Sequence, residues 1–245
     1  MNNINDYREI LKELYAPMLL KVKDSGYQGD VCSFCAQWGE SYFRLEKDRR
    51  FMFVGRSVNG WIHDKLDIDI LFGEGEDRIF NREDQMRWVK DREGNKTGYN
   101  TRHSAFWRVI RRITKSHLDI KGDDWVSHMV WSNLFKVSPH KSGMNPDLGL
   151  RDIQRNDCIQ IFKRELEFFN PGHIIMFTGG WEGYYLKSLF GLERNAELPK
   201  PVRVIPWSKH ETRQYAIDGR NFIVTKHPMG KPEDPHINAI SELLS

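Results

Sequence analysis

Short apolar runs that alternate with segments of helical periodicity constrain the fold of this chain more than any other feature of its sequence. Runs of mostly apolar residues, of a length typical of buried β-strands, occur at residues 51–54, 129–134, 174–177, 202–205 and 222–225. Apolar residues recur at helical spacing in residues 4–20, 106–113, 150–169, 184–189 and 236–244. Such alternation is typical of α/β proteins, in which helices cover both faces of a parallel sheet. We therefore predict a three-layer αβα architecture with a central, mostly parallel sheet of about four strands.

The length of 245 residues favours one domain that spans the whole chain, residues 1–245. Apolar residues make up 39% of the sequence, which is sufficient for a sizeable core. Residues 64–100 are polar and charged with weak periodicity, and we predict a long insertion there with one short helix. Insertions of this kind either cover a binding site or form mobile surface, and both interpretations stay open at this point.

The sequence lacks the features of a membrane or secreted protein. No apolar run approaches the roughly 20 residues needed to cross a bilayer. Residues 1–6 have neither the basic start nor the apolar stretch of a secretory signal. We therefore expect a cytoplasmic monomer without membrane contact. The net charge of +3 is too balanced to indicate nucleic-acid binding by itself.

Three segments that follow predicted strands carry small and polar residues, namely residues 55–61, 132–139 and 226–230. In parallel sheets, ligands bind beyond the carboxyl ends of the strands. Asn133 offers one acceptor and two donors, enough to pair with the polar edge of a base. His227 can donate to an oxygen that gains negative charge, and Pro228 restricts the turn that orients it. Either feature alone fits an ordinary loop, but their joint occurrence at strand ends predicts a binding pocket.

The order of these segments resembles that of the uracil-DNA glycosylase superfamily, most closely its iron–sulfur branch. That branch has a strand ending in V-G-E-x-P-G, then T-N-x-V-K-C-R-P, then a helix with a cysteine, and a last strand ending in H-P-S. This chain reads FVGR at 53–56 and SNLFKVSP at 132–139, has Cys158 in a predicted helix, and reads FIVTKHP at 222–228. The resemblance extends over roughly residues 30–240, and its ordered set of motifs is more specific than any one of them.

The resemblance implies a DNA glycosylase that hydrolyses the N-glycosidic bond of uracil or a damaged base in DNA, without a cofactor, on a flipped nucleotide. Asn133 would recognise the base, and His227 would stabilise the departing base as an anion. Gly55 and Ser57 would belong to the loop that approaches the ligand. In the family, an aromatic residue that stacks on the base precedes an arginine by three positions, and Tyr99 with Arg102 has that spacing. A loop aromatic packed on the domain is an equal alternative for Tyr99.

Arg56 is the main departure from the family pattern, because it stands where the family has a carboxylate that orients the attacking water. Asn59 or Asp64 could hold that water instead, although residues 59–60 would also fit a simple turn. A guanidinium at this glycine-containing loop suits a phosphate. The alternative function is therefore a catalytically inactive or redirected family member that binds a nucleobase, nucleotide or nucleic acid. A third interpretation is an α/β protein that shares only the fold.

Three cysteines, an odd number, argue against a disulfide framework. By the resemblance, Cys32, Cys35 and Cys158 match three of the four ligands of the family's iron–sulfur cluster. The fourth position falls on Val137, which cannot ligate iron. We expect that the cluster has been lost and that the thiols are vestigial; the alternative is an unusual fourth ligand such as His140.

Overall fold

The computed structural model of the chain describes residues 3–61, 63–75, 78–81, 85–141 and 144–245. Residues 1–2 of the N-terminal segment interpreted above therefore lie outside the described residues, as do residues 76–77 and 82–84 of the polar stretch 64–100. The helices are α1 Ile4–Asp24, α2 Ile68–Phe72, α3 Trp88–Asp91, α4 Ala105–Leu118, α5 Leu148–Phe169, α6 Gly183–Leu189 and α7 Glu233–Leu244. The strands are β1 Val31–Ser33, β2 Gln37–Trp38, β3 Phe51–Gly55, β4 Met129–Asn133, β5 Val137–Pro139, β6 His173–Met176, β7 Arg203–Trp207, β8 His210–Ile217 and β9 Arg220–Val224. The predicted α/β class is confirmed.

The ends of the long helix α5 follow from local side-chain chemistry. Asp147 precedes the helix, and its Oδ1 accepts a hydrogen bond from the Leu150 N–H at 2.8 Å, which satisfies one of the unpaired donors of the first turn. Asn170 ends the helix in the left-handed conformation with φ +43°, and Pro171 follows. The predicted helix and its stop are thus confirmed.

Strands β2, β4, β3, β6, β9, β8 and β7 form a seven-stranded sheet in that order. Strand β6 pairs in parallel with β3, with Phe51 opposite His173, and in parallel with β9, with His173 opposite Asn221. Strands β9, β8 and β7 pair in antiparallel fashion. Strands β1 and β5 form a separate antiparallel pair.

The sheet differs from the prediction of about four mostly parallel strands, because it is mixed and has seven strands in the described part of the chain. The antiparallel part arises from two turns of two residues each. Ser208 has φ +50°, and Asp218 and Gly219 have φ +51° and +67°. Such short turns join antiparallel neighbours, whereas a parallel pair needs a crossover of about a dozen residues or more. Sequence periodicity missed strands β2 and β8 of this sheet, and it also missed the separate pair β1 and β5.

The chain divides into two compact units, each assembled from three segments. The first unit comprises residues 1–37, 55–83 and 132–170, and the second comprises residues 38–54, 84–131 and 171–245. The polar stretch 64–100 contributes to both. Its described residues contain the two short helices α2 and α3 rather than the single one predicted, and Leu71, Phe72 and Val89 among them are completely buried.

In the first unit, helices α1 and α5 pack together through aromatic side chains. Tyr7 stacks on Phe168 with ring centroids 3.8 Å apart, and Tyr15 meets Phe72 of α2 edge to face at 5.0 Å. The Tyr15 hydroxyl donates to the Phe34 carbonyl oxygen at 3.0 Å, so the buried phenol is satisfied. Contacts of this kind supply the hydrophobic core of the unit.

In the second unit, a tryptophan cluster and the parallel strands form the core. Trp107 of α4 contacts Trp88 at 5.4 Å and Trp131 at 5.2 Å between ring centroids. Phe53 of β3 stacks on Phe177, which directly follows β6, at 6.4 Å between ring centroids.

Across the described ranges, no helix combines the length and the apolar character that a bilayer crossing requires.

Candidate functional site

In the first unit, the loop after β3 and the segment after β4 lie side by side. The Leu134 and Phe135 N–H groups donate to the carbonyl oxygens of Gly55 and Arg56, both at 3.0 Å. The Ser138 hydroxyl donates to the Val58 carbonyl oxygen at 3.0 Å. Two of the loops selected from the sequence are therefore held together by backbone hydrogen bonds, as the strand-end rule predicts.

Asn133 ends β4 with a side chain that is 1% exposed. Its Nδ2 has no hydrogen-bond partner among the described residues. A buried amide donor without a partner costs about 1–3 kcal/mol, so such groups usually have a reason to persist. A ligand that accepts a hydrogen bond at this position would satisfy it.

The backbone of Asn133 is held by a buried network centred on Lys136. The Lys136 ammonium donates to the Asn133 carbonyl oxygen at 2.8 Å, to Ser132 Oγ at 2.9 Å and to Glu165 Oε1 at 2.7 Å. Ser132 Oγ in turn donates to Glu165 Oε2 at 2.7 Å. The Lys136 and Glu165 side chains are both fully buried. All three ammonium protons are used, so the network fixes the end of β4.

Gln154 of α5 holds the next part of the same segment. Its Oε1 accepts from the N–H groups of Lys136 at 3.0 Å and Val137 at 2.8 Å, and its Nε2 donates to the Val137 carbonyl oxygen at 2.8 Å. Sequence reasoning missed these supports. The available signal was the presence of Gln154 and Glu165 on the buried face of α5, where polar residues are unusual.

The loop after β3 places its polar residues in different surroundings. Ser57 Oγ and His63 Nε2 are buried atoms without a hydrogen-bond partner among the described residues. The side chain of Arg56 is half-buried, whereas Asn59 and Asp64 are exposed. Gly60 has φ +75°, which fits the turn interpretation of residues 59–60. His63 was not selected from the sequence, where no pattern distinguished it.

The residues at the cluster positions do not fit an iron–sulfur cluster. The Cys32 thiol donates to the Ser138 carbonyl oxygen at 3.5 Å, and the Cys158 thiol donates to Gln154 Oε1 at 3.2 Å. Burial raises the pKa of Cys32 and raises that of Cys158 to about 12, whereas cluster ligands are thiolates. Val137 is buried, and its side chain has no atom that can ligate iron.

Cys35 is also buried, and its Sγ accepts from Gln37 Nε2 at 3.6 Å. His140 Nδ1 is buried without a hydrogen-bond partner in the described part of the chain. In the ranges that the structure describes, no three or more His, Cys, Asp or Glu side chains come together in a way that could hold a metal ion. The proposed fourth ligand His140 therefore gains no support.

In the second unit, His227 follows β9 on a loop with a defined geometry. The Met229 N–H donates to His227 Nδ1 at 3.3 Å, and the imidazole stacks on Phe106 of α4 with centroids 5.8 Å apart and planes at 12°. Because Nδ1 accepts, the neutral imidazole carries its proton on Nε2. His227 thus carries a donor nitrogen in its neutral form, and the adjacent Pro228 is buried.

The base of the His227 loop is held at Thr225 by four hydrogen bonds. Its N–H donates to the Met176 carbonyl oxygen at 2.9 Å, and its carbonyl oxygen accepts from the Gly179 N–H at 3.0 Å. Its hydroxyl lies 2.9 Å from Thr212 Oγ1 and 2.8 Å from His236 Nε2. These hydrogen bonds fix the end of β9, two residues before His227.

Tyr99 and Arg102 also lie in the second unit, before α4. Tyr99 is 42% exposed. Partial burial raises the pKa of its hydroxyl, and this effect exceeds the opposite effect of the hydrogen bonds with Ser104 and Trp107, which lower the pKa. Arg102 Nε lies 3.4 Å from Glu93 Oε2. A ring that is exposed to this extent is compatible with stacking on a base.

The site residues predicted from the sequence are therefore divided between the two units. The first unit holds Gly55, Arg56, Ser57, Asn59, Asp64, Asn133 and the three cysteines, and the second holds Tyr99, His227 and Pro228.

No protein-family model matches the chain, and no curated protein matches it either. The side chains and their surroundings are thus the basis for a functional proposal.

Proposed function

We propose that the chain is a DNA glycosylase of the uracil-DNA glycosylase type, with the three-layer architecture of that family, that acts on uracil or a damaged base. The observation that carries this proposal is the buried Asn133 amide, whose Nδ2 is unpaired among the described residues while the Lys136 network holds its backbone. A fixed amide donor and acceptor suit the Watson–Crick edge of a flipped base. Fixing such a group in advance is what base recognition requires.

His227 supplies the second chemical requirement of the proposal. When a glycosidic bond breaks, negative charge develops on the carbonyl oxygen of the departing base, and a donor placed there lowers the barrier. His227 has its proton on Nε2 because Nδ1 accepts from the Met229 N–H. The Nε2 proton is therefore the one that His227 would donate to the departing base.

The attacking water requires a third group. Ser57, Asn59 and Asp64 are the polar residues of the loop after β3 that can hold it. Ser57 Oγ is buried and unpaired among the described residues, whereas Asn59 and Asp64 are exposed. Ser57 is thus the best placed of the three to hold an ordered water.

A second candidate function is nucleobase or nucleotide binding without cleavage, and the half-buried Arg56 favours it. An arginine at the carboxylate position repels the oxocarbenium-like sugar that forms during hydrolysis, so it opposes catalysis. The same guanidinium can pair with a phosphate through two hydrogen bonds. The two candidates therefore differ in whether a base is released.

The test is base release from labelled oligonucleotides that contain uracil, hypoxanthine or xanthine, in single and double strands. We expect base release by the wild type and a loss of at least about a hundredfold in turnover for His227→Ala, with DNA affinity retained. His103→Ala, at an exposed histidine, is the matched control. Asn133→Asp should change the preference between uracil and cytosine, because it replaces the amide donor by a carboxylate oxygen.

Absence of release from every substrate by folded protein would reject the glycosylase and favour binding without cleavage. Release that survives His227→Ala would remove His227 from the mechanism. Unchanged discrimination by Asn133→Asp would remove Asn133 from base recognition.

A further inference from the structure

The ring plane of His227 decides where its Nε2 proton points, because the N–H bond lies in that plane. Rotation of an imidazole about its Cβ–Cγ bond is soft, since torsions between sp³ and sp² atoms have broad energy minima. A hydrogen bond weakens steeply when the angle at its hydrogen falls below about 120°. A histidine that donates in one direction therefore needs contacts that hold its ring plane.

Two contacts of His227 act on its ring in different ways. The Met229 N–H donates to Nδ1 at 3.3 Å, and a single in-plane hydrogen bond does not prevent the ring from tilting about it. The ring of Phe106 in α4 lies parallel to the imidazole within 12°, at 5.8 Å between centroids. Offset parallel rings at such a separation form a favourable aromatic pair. The Phe106 face therefore opposes the tilt that the hydrogen bond allows.

The Phe106 ring is itself held by neighbouring aromatic side chains. It meets Phe177, which directly follows β6, edge to face at 5.5 Å, and Trp107 of α4 edge to face at 5.1 Å between centroids. Phe177 and Trp107 are both buried. The surface that contacts His227 is thus continuous with the closely packed core of the second unit, which limits its movement.

Helix α4 is also joined to the far end of the loop that follows β9. Arg108 of α4 donates from Nε to Glu233 Oε1 at 2.9 Å, and Glu233 begins α7 directly after that loop. Arg112 Nη1 lies 2.7 Å from Asp234 Oδ1. Partly exposed ion pairs of this kind contribute little stability. They nevertheless show that α4 lies beside both ends of the loop.

We propose that Phe106 is a positioning residue for His227, whose imidazole plane it sets so that the Nε2 proton points at the carbonyl oxygen of the departing base. The inference rests on the proposed function for the donor role of His227. A residue that only fills the core needs apolar volume but no flat face. Leucine supplies the volume without the face, and tyrosine keeps the face, so the two roles of Phe106 predict different results.

The first test is base release by the wild type, Phe106→Leu, Phe106→Tyr and the control Phe190→Leu. Phe190 is another half-buried phenylalanine of the second unit, and its ring meets Tyr215 at 6.1 Å. Phe106→Leu should lower kcat roughly tenfold with unchanged KM and DNA affinity, because a misdirected donor affects only the bond-breaking step. Phe106→Tyr and Phe190→Leu should retain the wild-type kcat.

A double-mutant cycle shows whether Phe106 acts through His227. Phe106→Leu should cause no further loss of turnover in the His227→Ala protein, because the group that it orients is already absent. Phe106→Met fills a similar space with a flexible chain, so the same results are expected of it if the leucine variant does not fold.

The second test requires neither DNA nor turnover. Nitrogen NMR distinguishes an imidazole held in the Nε2–H form from one that exchanges between both tautomers. At pH 8 the two His227 nitrogens should have well-separated shifts in the wild type and in Phe106→Tyr. The shifts should approach each other in Phe106→Leu, because a tilting ring loses the hydrogen bond from the Met229 N–H for part of the time.

The inference is overturned if Phe106→Leu releases base as fast as Phe190→Leu, or if its loss multiplies with that of His227→Ala. It is also overturned if the His227 shifts of folded Phe106→Leu match those of the wild type. Base release that is unaltered in Phe106→Leu keeps the glycosylase and rejects the positioning role. Absence of release by every protein rejects the glycosylase, and the imidazole shifts then decide whether Phe106 orients His227.

Discussion

Acid should destabilise this protein through His236, whose imidazole is 0% exposed. The ring stacks on Trp207 at 4.2 Å between centroids and meets Phe177 edge to face at 5.8 Å. Nε2 lies 2.8 Å from Thr225 Oγ1, whereas Nδ1 has no hydrogen-bond partner in the described ranges. Burial, with smaller effects from the charges of Lys231, His210 and His227, lowers the pKa of His236 from 6.5 to about 3.

The sign and size of the effect follow from linkage. Above pH 6.5 the imidazole is neutral in both folded and unfolded chains, and its neutral form is stable in the core. As the pH falls from 6.5 towards 3, the unfolded chain binds a proton that the folded chain does not, so stability is lost. At 1.36 kcal/mol per pH unit, the loss is about 2 kcal/mol at pH 5 and about 4 kcal/mol by pH 3.

The assay is urea unfolding at pH 7 and pH 5 for the wild type and for His236→Gln. Glutamine places an amide near the position of Nε2 and does not titrate, so its hydrogen bond to Thr225 can persist. The wild type should lose about 2 kcal/mol more than the variant between the two pH values. Burial also lowers the pKa values of His117 and His173, but both residues are present in each protein and cancel in the comparison.

His103→Gln, at an exposed position, is the control for the removal of one imidazole. Equal losses of stability for the wild type and His236→Gln between pH 7 and pH 5 would refute the reasoning. Nitrogen NMR shifts give a direct check, because the His236 ring of the folded protein should still be neutral at pH 5.

Two further predictions concern the first unit. Lys136→Met should destabilise the protein by about 3–5 kcal/mol, because it leaves the Glu165 carboxylate buried and unpaired. Unfolding midpoints that match those of Lys23→Met, at an exposed lysine, would contradict this. Thiol reagents at pH 8 should label none of the cysteines in folded protein and all of them in denaturant, because Cys32, Cys35 and Cys158 are buried. Labelling of a folded thiol at the unfolded rate would show that it is accessible.

Local sequence patterns were sufficient for the main elements. Helices α1, α4 and α5 and strands β3, β4 and β6 lie where periodicity predicts them, because a buried helix face or strand leaves a regular apolar pattern in the sequence. The order of these elements also indicated the α/β class. The same patterns selected residues 55–61 and 132–139, which the structure holds together by hydrogen bonds.

The hairpin β8–β9 was predictable from the sequence but was missed. Residues 218–219 are Asp-Gly, a strong signal for a two-residue turn with positive φ at both positions. Strand β8 before them is polar at alternate positions, since much of one face is exposed. Its composition therefore does not resemble the continuous apolar runs of the parallel strands.

The sequence by itself determined the long helices, the parallel strands β3, β6 and β9 and the strand-end loops, because each depends on residues close together in the chain. Only the tertiary structure decided the partners of the buried polar groups. Lys136 and Glu165 are separated by 29 positions, yet they form one buried pair. His236 is neutral because the folded chain surrounds it with Trp207 and Phe177. Hydrogen bonding and burial depend on packing between distant segments, and a local pattern carries no record of that packing.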